Sequence, residues 1–299
     1  MFERHKSAFS TWILLLGVFF WGASFVYVKD AIDSVDVFSF LFMRFTLSAV
    51  IVGFISIGRL KKISIELLWK SVAMGLMLAV SFVFQTFGIK YTTASNAAFI
   101  TGLCVVLVPV FISVVDRRLP SPLKIASVVL GFVGLGLLTL KPGLSVNRGD
   151  VWALFCAVTF GLHIIMISRM MGGIDALLFS LVQSIVVAIC TGAAGLAVNG
   201  TLVVVPESPE VLHAVVYCAI FATAYMYTAM ATLQRNVSEI KAVMIYSLEP
   251  LFAAIVAFIC IGERMSAQQI TGGLLIFAGM ILADLKIRNG KILKRPGQT

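Results

Sequence analysis

Ten stretches of this sequence are apolar and long enough to cross a bilayer core, which takes about 20 residues of helix. They run over Trp12–Val28, Phe38–Ile57, Trp69–Ile89, Ala94–Val115, Leu123–Leu140, Val151–Ser168, Ile174–Val198, Val211–Leu233, Ile240–Ile261 and Ala267–Leu285. Together they occupy about two thirds of the chain. Nine short loops and two tails remain, with no room for a folded soluble domain. Only 12% of the 299 residues are charged, about half the share of a soluble domain. With a mean hydropathy of +1.03, the chain cannot cover a water-facing surface. A soluble enzyme, a nucleic-acid-binding domain and a disordered tail are excluded as descriptions of the whole. No loop carries a Walker A or Gly-x-Gly-x-x-Gly motif, so no ATP hydrolysis is expected.

Arg4 and Lys6 precede the first run, as they would in a signal peptide. That run is long and ends at Lys29-Asp30 without a small-x-small cleavage site, so it reads as a retained helix. The five cysteines (Cys104, Cys156, Cys190, Cys218, Cys260) lie inside apolar segments without Cys-x-x-Cys spacing. Neither a metal site, a disulfide nor a cofactor is expected.

The formal charge of +9 is a matter of threading. On alternate loops and both tails stand Arg4, Lys6, Arg59, Lys61, Lys62, Lys70, Arg117, Arg118, Lys124, Arg169, Arg235, Lys241, Lys286, Arg288, Lys291, Lys294 and Arg295. The other loops hold only Lys29, Lys90, Lys141, Arg148 and Arg264. Cytoplasmic loops collect Lys and Arg. This 17-to-5 split therefore predicts cytoplasmic termini and ten crossings, with Asp33 and Glu207 outside. Nucleic acid is not an expected partner.

The chain also repeats. Shifted by 145 residues, Lys90–Leu140 overlies Arg235–Leu285 without a gap. Identical pairs include Ala97/Ala242, Ile100/Ile245, Leu103/Leu248, Ser121/Ser266, Phe132/Phe277 and Gly134/Gly279. Ser121 and Ser266 each stand just before an apolar run, where a helix N-cap belongs. At a shift of 139, Phe20-Trp21-Gly22 meets Thr159-Phe160-Gly161, and Arg44 meets Gln183. The halves are 1–145 and 146–299, with five segments each. Five is odd, so the second half enters from the opposite side. The expected fold is an all-α membrane protein of ten transmembrane helices, arranged as a five-plus-five inverted-topology repeat with a central site near the midplane.

These features resemble the drug/metabolite transporter superfamily, EamA-like family. The matching residues are Phe20-Trp21-Gly22-Ala23-Ser24-Phe25, Arg44, Tyr91 to Ile100, Tyr246 to Ala254, and Gly262-Glu263-Arg264 followed by Gln269, Gly272 and Gly273. The resemblance covers nearly the whole chain. It implies a carrier of small metabolites, often an amino-acid exporter, using ion gradients or exchange. It also implies a cavity surrounded by helices one, three, four, six, eight and nine, with five and ten at the periphery.

Helices facing a wet cavity carry polar stripes at three- and four-residue spacing. Such stripes run through Gly17, Trp21, Ser24; Ser81, Gln85, Gly88; Ala97, Thr101, Cys104; Cys156, Thr159, His163, Met166; Thr223, Tyr227, Met230; and Ala242, Tyr246, Glu249, Ala253. The fifth and tenth segments instead carry glycines (Gly131, Gly134, Gly136; Gly272, Gly273, Gly279) suited to close helix packing.

The candidate substrate-binding residues are Trp21, Ser24, Phe82, Gln85, Phe99, Thr101, Phe160, His163, Tyr227 and Tyr246. Arg44 and Glu249 are the only charges well inside apolar segments, and intramembrane charges mark pathways or structural pairs. At 1.5 Å per residue, Arg44 lies roughly 9 Å below the outer face and Glu249 roughly 13 Å above the inner one. Glu249 either binds a coupling proton or a substrate amine, or pairs with Arg44 or caps backbone to hold the fold. The adjacent Pro250 would kink its helix. His163 either binds substrate, carries protons, or is bonded between helices.

The expected activity is secondary transport of a small metabolite by alternating access, with export or exchange of amino acids across a bacterial cytoplasmic (inner) membrane as the first expectation. The expected partners are the substrate, a proton or counter-substrate, and the lipid bilayer. A channel-like facilitator would need a filter loop or charge ring, and an intramembrane enzyme a clustered catalytic set. Neither is legible in the sequence.

Overall fold

The computed structural model describes residues 2–92, 94–139, 147–203, 208–261, 266–283, 285–288 and 291–294. The Gly262-Glu263-Arg264 motif, Lys141, Glu207 and Arg295 lie outside the described residues.

Each apolar run is helical. The helices are α1 (Phe2–Ser34), α2 (Val37–Ser56), α3 (Ile65–Tyr91), α4 (Ala94–Gly102), α5 (Cys104–Asp116), α6 (Pro122–Thr139), α7 (Arg148–Met170), α8 (Ala176–Asn199), α9 (Pro209–Ala219), α10 (Met226–Leu233), α11 (Glu239–Tyr246), α12 (Glu249–Ile261) and α13 (Ala267–Ala283). Seven spans are long and apolar enough to cross a membrane: Lys6–Ser34, Val37–Lys62, Ile65–Tyr91, Phe99–Asp116, Arg148–Met170, Ala176–Asn199 and Pro209–Asn236. Pro122–Leu138 and Ala267–Ala283 are shorter apolar helices. The tenth expected segment stops at Ala283. Leu285–Arg288 and Lys291–Lys294 form a small antiparallel hairpin instead.

Polar residues set the helix starts by satisfying first-turn amides. Asp36 accepts from the amides of Phe38 and Ser39, Ser64 from Leu67, and Asp175 from Leu177 and Leu178. Asn147 and Asp150 form a capping box at α7. Ser266 and Gln269 do the same at α13: the Gln269 amide donates to Ser266 Oγ (3.2 Å), and the Ser266 amide to Gln269 Oε1 (2.9 Å). Ser121 holds the matching place before α6, its carbonyl accepting from the amides of Lys124 and Ile125. Within the helices, hydroxyls donate one turn back: Ser81 to Met77, Thr86 to Phe82, Thr191 to Val187.

Three of the expected segments are interrupted. The fourth divides at Leu103 and the ninth at Ser247-Leu248. The eighth passes through a π-helical turn, Ile220–Tyr225, between α9 and α10. Pro250 accounts for the second of these, and Gly102 stands beside the first.

Contacts between helices recur with partners exchanged. Helix α3 packs on α7 as α1 packs on α9 and α10, and α7 packs on α4 and α5 as α1 packs on α12. Helices α2 and α8 face each other, as do α6 and α13. The α6–α13 crossing is close. A Cβ on Gly134 would lie 2.6 Å from the Gly272 carbonyl oxygen, and one on Gly279 would lie 2.8 Å from that of Ser127. Under the 145-residue shift these two contacts are images of each other. Similarly, Gly22 meets Glu249 and Ala253, while Gly161 meets Cys104 and Val108. The outer surface keeps large apolar side chains such as Trp12, Phe54, Ile65, Trp69 and Val114 exposed, as contact with lipid tails requires.

Candidate substrate cavity

A cavity lies where α1, α3, α7 and α10 meet the breaks of α4–α5 and α11–α12. Ten of the twelve residues singled out from the sequence share its wall: Trp21, Ser24, Arg44, Phe82, Gln85, Thr101, Phe160, Tyr227, Tyr246 and Glu249. The space open to the centre of a water-sized sphere is about 40 Å³. One water needs about 10–15 Å³ by that measure, so the cavity has room for a few waters. It extends from Trp21 along α1 to Val28 and from Ser81 along α3 to Ile89. It therefore leans toward the end of the bundle where α1 and α3 finish.

Two expected residues stand elsewhere. Phe99 is on α4, where Thr101 faces the cavity; two residues of helix turn a side chain by about 200°. Phe99 accordingly points outward onto Phe132 of α6, at 6.4 Å between ring centroids. His163 is fully buried and sits one turn beyond Phe160 on α7, bonded to Gln183 of α8 rather than facing the cavity. Thr159, from the same expected stripe, is spent on its own helix.

The aromatic rings of the wall touch. Trp21 meets Phe160 at 5.5 Å, Tyr227 at 5.8 Å and Tyr246 at 5.9 Å between centroids. Trp21 and Phe160, matched by the 139-residue shift, are thus neighbours on the wall. Several polar tips are already committed. Trp21 Nε1 donates to the Ala222 carbonyl (2.7 Å). The Tyr246 hydroxyl donates to Gln234 Oε1 (2.7 Å), and Gln234 donates in turn to the Ile164 carbonyl and Ser168 Oγ.

Arg44 is held by the π-helical turn. Its Nε donates to Thr223 Oγ1 (2.8 Å) and its Nη2 to the Ala222 carbonyl (3.3 Å). The guanidinium lies 4.6 Å from the Phe82 ring centroid and 5.6 Å from that of Phe45, which are cation–π distances. Of the five N–H donors a guanidinium carries, two are used. Among the described residues, Arg44 and Glu249 form no ion pair with each other, and the Glu249 carboxylate makes no hydrogen bond. Glu249 opens α12, half-buried on the cavity wall. Its 145-shift counterpart Cys104 opens α5 on the same cavity.

Phe25, Val28, Thr86, Ile89, Gly102, Ser247 and Pro250 also line the cavity and were not among the candidate binding residues. Phe25, Val28 and Ile89 continue the stripes of Trp21 and Gln85 but are apolar, so a search for polar stripes passes over them. Gly102 and Ser247 adjoin the helix breaks.

Comparison with known proteins gives the same frame. The EamA-like transporter family model matches twice, over residues 9–140 and 147–283. An uncharacterized transporter of Archaeoglobus fulgidus is 30% identical over 290 residues, covering 95% of this chain and 89% of that protein. The uncharacterized transporter YcxC of Bacillus subtilis is 22% identical, covering 98% of each. A solved crystal structure, 16% identical, superposes with a TM-score of 0.75 over 92% of this chain and 96% of the other. Two tandem matches across almost every described helix make this chain an integral membrane protein of the EamA-like transporter family.

Proposed function

We propose that this protein is a secondary carrier that exports or exchanges amino acids by alternating access through the cavity around Trp21. It crosses a bacterial inner membrane ten times, with both termini in the cytoplasm and its five-segment halves inverted. The observation that carries the reading is the pair of opposite charges on one cavity wall, Arg44 and Glu249, not spent on each other among the described residues. Arg44 keeps N–H donors for a carboxylate, and Glu249 offers an acceptor for an ammonium group. The rings of Trp21, Phe82, Phe160, Tyr227 and Tyr246 supply the apolar remainder, the usual composition of a small-molecule site. Paired helix breaks at one depth are also the form that binding sites take in inverted-repeat transporters. The lean of the cavity toward one end of the bundle represents one of two alternating states, in which the wall nearer the other end is closed by the Tyr246–Gln234–Ile164 bonds.

A thermal-shift panel in liposomes tests this. Amino acids should raise the melting temperature, and analogues lacking either the α-amine or the α-carboxylate should do so far less. Equal shifts from the analogues, or none from any amino acid, would contradict the assignment.

A further inference from the structure

Among the described residues, Arg44 and Glu249 are the charged side chains on the cavity wall. They form no ion pair with each other, and Arg44 is buried to 4% exposure. What holds the guanidinium carries no charge. Its Nε donates to Thr223 Oγ1 (2.8 Å) and its Nη2 to the Ala222 carbonyl (3.3 Å). Nε and Nη2 form the side edge of the planar group. One N–H from each terminal nitrogen remains as the end fork, and such a fork matches the two oxygens of a carboxylate. The Phe82 ring lies against the face of the guanidinium, 4.6 Å from its carbon.

The π-helical turn is what frees these acceptors. In an α-helix the Met226 amide would bond the Ala222 carbonyl; here it bonds that of Thr223. The Ala222 carbonyl instead receives side chains from the other half of the chain, Trp21 Nε1 at 2.7 Å and Arg44 Nη2. The repeat supplies a comparison. Under the 145-residue shift, Ile220–Tyr225 falls on residues 75–80 of α3, which are α-helical throughout. Met77 takes the place of Ala222, and its carbonyl accepts from Ser81 Oγ of its own helix (2.8 Å). The counterpart of Arg44 under the 139-residue shift is Gln183, a neutral residue bonded to His163. The half with no cation to hold thus has no π-helical turn at this place, and such turns often mark functional sites.

We propose that the π-helical turn is an uncharged cradle for Arg44, and that Thr223 is a positioning residue through which the cavity selects solutes bearing a carboxylate. The proposal rests on the carrier reading above. An aspartate at position 223 would orient the side edge equally well but cancel the charge. A hydroxyl and a carbonyl orient it and leave the charge uncompensated, where a poorly hydrated wall strengthens its pull on an anion. A solute with an ammonium group and no carboxylate would meet Glu249 favourably but leave Arg44 unanswered and repelling.

The test sets stability against selectivity. The protein in liposomes is titrated with a mixture of the common amino acids and with the matched mixture of amines lacking the α-carboxylate, each followed by the rise in melting temperature. Wild-type protein should respond to the amino acids at concentrations at least tenfold lower than to the amines. Thr223→Asp should melt above Thr223→Val, because it gives Arg44 a partner, yet shift the preference at least tenfold toward the amines. Thr223→Ser keeps the hydroxyl and should keep the wild-type preference. Should Thr223→Asp fail to fold, Thr223→Val decides: its preference for amino acids over amines should fall at least threefold, and Thr223→Ser should restore it. A wild-type preference in Thr223→Asp, or in Thr223→Val, would overturn the proposal, as would equal weakening of both mixtures. Wild-type protein that does not distinguish the two mixtures would instead defeat the carrier reading itself.

Discussion

Leu103 and Leu248 stand 145 residues apart and make the same bond: each donates its amide to the carbonyl three residues back, Ile100 and Ile245, at 3.1 Å in both cases. An i−3 bond tightens and ends a helix. Both segments therefore break at one depth, and the new helices begin at Cys104 and Glu249 on the cavity wall. Irregular backbone at membrane depth is tolerated where protein buries it or where it lines a cavity. Here it does both.

The glycines at the α6–α13 crossing should be intolerant of side chains. Gly134→Leu or Gly272→Leu should push the two backbones apart and cost about 1–3 kcal/mol or more. Thermal melting in detergent checks this. Gly172→Ala, where a Cβ would meet nothing within 4 Å, should melt like the wild type.

The charges should separate by role. Thr223→Val removes a bond to a buried guanidinium and should cost about 1.5–3 kcal/mol of stability. Glu249→Gln should leave melting unchanged, since Arg44 is held by Thr223 and Ala222, yet weaken amine-bearing substrates about tenfold, or 1.4 kcal/mol. Melting curves beside binding titrations separate the two. A large loss of stability in Glu249→Gln would restore the structural-pair reading.

Trp21→Ala and Phe160→Ala should each weaken substrate binding, because the two rings touch each other on the cavity wall. Phe99→Ala, on a ring turned toward α6, should leave affinity unchanged. Transport affinity measured for the three variants decides whether the wall is assigned correctly.

Threading is checked by single-cysteine labelling on a cysteine-free background. Asp33→Cys should react with an impermeant reagent in intact cells, and Lys61→Cys only after lysis. The reverse pattern would overturn both the orientation and the cytoplasmic termini.

Much of this was legible in the sequence because lipid imposes simple demands. Apolar runs of helical length marked where the described helices lie, and ten of the twelve candidate residues share one cavity wall. The repeat showed where Ser266 and the glycines of α13 belong. The misses have physical causes. Periodicity reports which face a residue takes, and His163 shares a face with Cys156 but lies two turns further along α7. Phe99 was chosen as an aromatic residue, though its neighbour Thr101 takes the cavity face. The π-helical turn at Ile220–Tyr225 leaves no mark in composition, yet its Thr223 and Ala222 hold Arg44. A search for opposite charges alone could therefore offer Glu249 as one possible partner of Arg44 and had no way to find Thr223.

A cavity that carries a zwitterionic solute and faces each side of the membrane in turn should support counterflow. Counterflow tests it most directly. Proteoliposomes are loaded with an unlabelled mixture of the common amino acids or left empty, then given the same mixture labelled at trace concentration. Loaded vesicles should take up label faster than empty ones, overshoot, and then decline, and Glu249→Gln should blunt the overshoot. Equal uptake by loaded and empty vesicles, without overshoot, would contradict it.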